Sequence, residues 1–238
     1  MTFRPMPGLS VAALISLVIL LGLGTWQLQR RTEKHLLLQQ IETRQNLAAA
    51  PVEDLFPVGD YAAFRHVTAA GVFDHASEVY VFDPRTEDGP TRPGYKVLTP
   101  FTLIGGDAIL VDRGWVPDDR RLPDTRTSGQ VRDQVQLNGV LRRTGAGSAF
   151  TPPPDMAKRI FYARDTATIS KAFGLRLRTR LLFEATSSEK GGPQPVTTIG
   201  NIPDNHLNYA LTWFSLAIVL LVVYLRLHYT SGRLRFTP

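Results

Sequence analysis

The stretch "NHLNYALTW", residues 205 to 213, places a histidine at the mouth of an apolar run, "FSLAIVLLVVYL". An imidazole in that position can ligate a metal, exchange a proton, or anchor a helix at a membrane surface with its polar tip in water. On a helix His206, Tyr209, Ala210 and Trp213 follow i, i+3, i+4, i+7 spacing, which predicts one shared face. A second apolar run closes with "GTWQLQRR", Gly24 to Arg31, where Trp26, Arg30 and Arg31 combine an aromatic ring with two cations suited to carboxylates. In a third cluster, "FDHASE", Asp74, His75 and Glu78 lie close together with His66 nine residues earlier. These residue types can bind a divalent metal, but turn polarity between two strands accounts for them better. "VDRGWVP", Val111 to Pro117, reads as a strand end in which Trp115 packs, Gly114 permits a bulge and Pro117 ends pairing.

The elements that must position these groups follow from where charge is missing. No charged residue occurs from Pro5 to Gln29, and none but the one histidine from His206 to Leu225. Each run reaches the ~20 residues that a helix needs to cross ~30 Å of hydrocarbon. The expected organisation is a tail over 1–7, a transmembrane helix over 8–29, a helical extension over 30–50, a β-rich domain over 51–204, a second transmembrane helix over 205–225 and a tail over 226–238. The net charge of +6 does not mark a nucleic-acid binder. Arg4, Arg226, Arg233 and Arg235 sit on the acid-free ends, and residues 30–205 balance 23 bases against 21 acids, so no nucleic-acid partner is expected.

Short basic tails favour the cytoplasm, which directs the central domain to the periplasm of a bacterial inner membrane. Arg30, Arg31 and Lys34 on the outer side oppose this weakly. Gly22-Leu23-Gly24 offers a competing reading as a signal cleavage site, but the run continues past it to Trp26 and Leu28, longer than a signal core. With no cysteine, disulfides, thiolate metal sites and Cys nucleophiles are excluded. Met1, Met6 and Met156 are too few thioethers for a Cu(I) carrier.

Between the spans, "FRHVTAAGVF", "SEVYVF", "YKVLTPFTLI", "AILVDRGWV", "DQVQLNGVLRR" and "TRLLFEAT" have strand composition. Gly105-Gly106-Asp107 predicts a hairpin turn. "DTATISKAFG" predicts a short helix with Asp165 as N-cap and Gly174 as C-cap. "TPPPD" reads as a rigid loop and "SSEKGGPQP" as a flexible connector, after which the chain returns through Pro203. The fold class expected is a two-helix membrane protein, α+β, with terminal helices flanking a mostly antiparallel, barrel-like β domain that has one or two helices. No catalytic signature is present.

"GTWQLQRRTEK" after the first span, "VDRGWVP" at the end of a hairpin, "RIFYARD" at Arg159 to Asp165 and "NHLNYALTWF" opening the second span occur in this order, and the whole chain resembles the surfeit locus family of cytochrome c oxidase assembly factors. Asp112 stands where that family often has Asn, and Phe161-Tyr162 where a Trp is common. The resemblance implies a non-enzymatic role in maturing an aa3-type oxidase, with delivery or retention of haem a. It implies the oxidase catalytic subunit and the lipid bilayer as partners, and the haem a synthase as a candidate partner.

Antiparallel spans bring Trp26 to Arg31 and Asn205 to Trp213 to the same membrane face. There a neutral His206 imidazole can ligate haem iron, with Tyr209, Trp213 and Trp26 beside it and Arg30 or Arg31 pairing with propionates. Trp, Tyr and His are equally interfacial anchors, and that alternative stays open. So does a membrane-tethered periplasmic enzyme or sensor unrelated to haem. Gly8, Ala12, Ser16 and Gly24 form the expected stripe of close helix approach. His35, ~13 Å along the helix from Trp26, is expected to lie apart from the site.

Overall fold

The computed structural model describes residues 2–86, 90–195 and 204–235; Pro203 lies outside them. The chain divides into two compact units, Met1–Gln40 with Gly200–Pro238, and Ile41–Ile199. In chain order the elements are β1 (Thr2–Phe3), α1 (Pro7–Gln45), β2 (Ala50–Pro51), β3 (His66–Phe73), β4 (Val79–Phe82), β5 (Gly94–Leu103), β6 (Ala108–Pro117), β7 (Val135–Arg142), β8 (Ile160–Phe161), α2 (Thr166–Phe173), β9 (Leu182–Ala185), α3 (His206–Thr230) and β10 (Leu234–Arg235).

In the first unit α1 and α3 are both long and apolar enough to cross a membrane. Their outward positions are aliphatic, with Leu14, Val18, Ile218 and Val222 all more than half exposed, as lipid-facing positions would be. The positions drawn inward on α1 are Ser10, Ala13, Leu17, Leu20, Gly24 and Gln27. Their steps of three and four give a 3.5-residue period, the spacing of a left-handed seam between two helices. On α3 the matching seam is His206, Ala210, Trp213, Ala217, Leu220 and Tyr224. The helices run antiparallel: Ser10 meets Tyr224 at 2.6 Å, Gln27 meets His206, and a Cβ on Gly24 would lie 2.5 Å from the Phe214 ring.

This seam corrects the expected small-residue stripe, because Gly8, Ala12 and Ser16 are exposed and only Gly24 faces α3. Steps of four advance ~40° each on a 100° helix, so Gly8 and Gly24 stand ~160° apart and never shared a face. At the far end β1 pairs with β10. There His228 is fully buried, donating from Nδ1 to the Tyr224 carbonyl and accepting the Met6 amide at Nε2.

The second unit is a barrel. β3 pairs with β5 and with β7, β5 with β6, β6 with β9, and β9 with β7, so five strands close in the order β3-β5-β6-β9-β7-β3. Counted in chain order this is 1-2-3-5-4-1, a five-stranded Greek-key barrel of OB type. The short β6–β9, β2–β3 and β4–β8 contacts are parallel, while all the longer pairings are antiparallel, so the sheet is mostly antiparallel as expected. Phe101, Phe183, Ile109, Val111 and Leu141 fill the interior.

α2 covers the outer face, where its Ile169 packs with Leu98, Leu110 and Leu182. Asp165 caps it by accepting the Ala167 amide, and Gly174 ends it in the left-handed conformation, both as the sequence predicts. The hairpin turn at Gly105-Gly106-Asp107 is also present, with Gly106 at φ +89°.

Two sites on the barrel depend on glycine. Gly114 has φ +117°, and a Cβ there would collide with the Gln194 carbonyl. Opposite it the β5–β6 register shifts between Lys96 and Leu98, which is the predicted bulge. The close approach lets Trp115 and Gln194 exchange both backbone hydrogen bonds, at 2.7 and 2.8 Å. "SSEKGGPQP" is therefore laid along the barrel and is not the free connector its composition suggested: Glu189 pairs with Arg113, and Gly192 packs on Gly129. Its glycines serve contact with the backbone more than mobility.

Candidate functional site at the head of the helix pair

His206 begins α3 and sits half-buried on its seam. Its backbone amide donates to Asp204 Oδ1 at 3.1 Å, and its Nδ1 lies 2.9 Å from Gln27 Oε1 on α1. Asp204 in turn holds His35, whose Nε2 is 2.8 Å from Oδ2. The His35 hydrogen bond and the His206 amide together keep the Asp204 carboxyl below its ordinary range. His35 is thus tied to the start of α3 and does not lie apart, because the chain entering α3 passes alongside the continuation of α1.

The other sequence-predicted residues divide by angle around the helices. Trp213 is half-buried on the α3 seam with His206, and between them Ala210 is buried against α1. Tyr209 is 56% exposed, off the shared face that spacing predicted. A step of three residues turns it ~60° back from His206, whereas the seam runs through the residues four and seven on. On α1, Trp26 is 49% exposed and Arg30 is exposed and paired with Glu33 at 2.8 Å. Arg31 is half-buried on the seam and makes no hydrogen bond or ion pair among the described residues. Gln27 is not among the residues the sequence pattern singles out, although it follows Trp26 directly. Counting the three-and-four seam from Ser10 would have reached it.

The barrel uses the other singled-out motifs as structural parts. Among the described residues no metal-binding group of three ligands occurs. Glu78, 1% exposed, takes Arg126 in a paired contact and Arg113 at 3.1 Å, while His75 lies 3.3 Å away with its Nε2 donating to the Val131 carbonyl. Burial alone would raise the Glu78 carboxyl. The contact with the His75 ring, the hydrogen bond from Arg126 and the charges of Arg126 and Arg113 outweigh it and hold the group below its usual range. Arg113 also stacks on Phe73 of the barrel interior at 4.7 Å. "FDHASE" is therefore half of a buried ion cluster whose arginines come from β6 and from the 3-10 turns at Pro123–Gly129.

A second cluster lies on the α2 side. Strand alternation puts Lys96, Asp112 and Glu184 on the face that carries Leu98, Leu110 and Leu182. Asp112 and Glu184 stand directly side by side in the parallel pair. Lys96 reaches them at 3.1 and 3.3 Å, Arg142 reaches Glu184 at 2.7 Å, and Arg164 of "RIFYARD" reaches Glu184 at 3.5 Å. Burial pushes the Asp112 carboxyl up, Lys96 only partly offsets this, and Glu184 adds to it. Asp112→Asn should therefore keep stability within about 1.5 kcal/mol, since the amide retains the Oδ1 acceptor for the Gly114 amide while relieving the repulsion from Glu184. Thermal unfolding of the purified variant measures this.

The fold and this site define a class: two terminal apolar helices, antiparallel and seamed, bracketing an OB-type barrel with buried ion clusters, and a histidine at the head of the second helix. The sequence matches the SURF1 family over residues 14–218. It is similar to Surfeit locus protein 1 of Xenopus tropicalis, 32% identical over 212 residues, which cover 82% of this chain and 67% of that one. Surfeit locus protein 1 of Homo sapiens is also 32% identical, over 82% of this chain and 69% of its own. The SURF1-like protein of Rickettsia felis is 28% identical over 90% of this chain and 94% of its own. The chain belongs to the SURF1 family.

Proposed function

We propose that this protein is a non-enzymatic assembly factor for an aa3-type cytochrome c oxidase that holds haem a on its way to the oxidase catalytic subunit. Its place is the bacterial inner membrane, with both termini cytoplasmic and the barrel periplasmic. The observation that carries the reading is His206, whose Nδ1 is engaged by Gln27 while Nε2 makes no hydrogen bond among the described residues. The donor set fits a haem: a neutral imidazole for the iron, Trp213 on the same seam for the macrocycle, and Arg31, without an ion-pair partner among the described residues, for a propionate. Haem a itself would supply the redox and oxygen chemistry only after transfer. His206 holds, Arg31 orients, and the apolar helices exclude water.

The visible spectrum of the purified full chain, expressed with and without haem a synthesis, tests this. A haem a absorbance confined to the first preparation is expected, and a colourless protein from both would sink the reading. Deleting the protein should lower assembled oxidase while leaving haem a synthesis intact.

The topology has its own expected result. Alkaline phosphatase fused near Gly191 should be active and a fusion at residue 238 inactive, because the short basic tails stay in the cytoplasm. The reverse pattern would invert the orientation.

A further inference from the structure

We infer that Gln27 is a positioning residue that fixes the tautomer of His206, so that Nε2 and not Nδ1 is presented to iron; this rests on the haem reading above. Nδ1 of His206 lies 2.9 Å from Gln27 Oε1. An amide oxygen only accepts, so the proton between them belongs to the ring. Neutral imidazole carries a single N–H, and Nε2 is left with its lone pair. A donated Nδ1–H also makes the opposite nitrogen a better ligand and fixes the ring plane.

The arrangement is set by helix packing. Gln27 is on the α1 seam three residues after Gly24, whose missing Cβ admits the Phe214 ring of α3. The His206 end is fixed by its backbone bond to Asp204. Both partners thus stand on rigid elements, the condition under which a supporting hydrogen bond holds a ligand in place.

The test uses the full chain in detergent, titrated with haem a. Gln27→Leu should weaken haem a binding by about 10- to 100-fold, the usual effect of losing an outer hydrogen-bond partner, with helix content unchanged because leucine suits an apolar seam. Gln27→Glu keeps an acceptor and should restore the affinity, while the added anion shifts the bound haem's midpoint potential to more negative values. His206→Ala is the reference. If it loses haem while Gln27→Leu keeps the parent's affinity and spectrum, the tautomer assignment is overturned and the haem reading stands. Equal weakening in Gln27→Leu and Gln27→Glu overturns it too, since Gln27 would then act by packing. If His206→Ala itself retains haem, the haem reading falls, and the assignment falls with it.

Discussion

Glu78→Ala is expected to cost the barrel about 3–5 kcal/mol, because it leaves Arg126 a buried cation with no carboxylate and Arg113 with Glu189 alone. Both arginines are almost wholly buried, so water cannot replace the lost partner. The effect also has a pH signature. The Glu78 carboxyl is held below its ordinary range, as is Glu184, where burial is outweighed by the hydrogen bond from Arg142 and the charges of Lys96, Arg142 and Arg164. A depressed folded value contributes stability that is present above the unfolded pKa, about 4.3 for Glu, and lost as pH falls through the folded value. The parent should therefore lose stability steeply below about pH 4, and Glu78→Gln should show a lower plateau and a shallower acid branch. Asp112, raised where the other two are lowered, acts in the opposite direction and softens the fall. Thermal unfolding from pH 3 to 8 measures these curves. Superimposable curves for Glu78→Gln and the parent would remove this cluster from the account of stability.

On the proposed function, His206→Ala should reduce haem a retention by more than the roughly 100-fold that an outer partner can cost, since it removes the proposed iron ligand. Membrane insertion should be unaffected, because one residue at the helix end adds little to a ~20-residue apolar span. Trp213→Ala should disturb haem fit more than protein abundance. His35 is unsuited as a silent control for these variants, as its bond to Asp204 reaches the His206 amide. Leu36, the next residue and 54% exposed, serves better. Equal haem content and identical spectra for His206→Ala and the parent would return this histidine to the role of interfacial anchor.

The strands, the Gly106 turn and both caps of α2 were legible in the sequence, because each rests on a few adjacent residues. The barrel-like class was legible too, but the strand order that closes it was not, since the β3–β5 and β6–β9 contacts join segments whose pairing no local pattern encodes. The site divides in the same way. His206 and Trp213 were legible from spacing, whereas Tyr209 satisfies the same spacing rule yet falls on the flank, because only the angular position of the partner helix decides which residues it covers. Arg126 gave no signal at all: it lies 48 residues from Glu78 in a turn of ordinary composition.

Closure of the barrel also restricts how anything can dock on it. Each of its five strands pairs with at least two neighbours, and among the described residues the sheet ends at β2 and β8, of two residues each. β8 is further covered by Asp155, which exchanges both backbone bonds with Ile160. Among the described residues a partner accordingly finds no long open margin on which to lay an extended peptide. Recognition by this domain has to be read out through side chains, which makes it tunable one residue at a time and guards the chain against templated self-association.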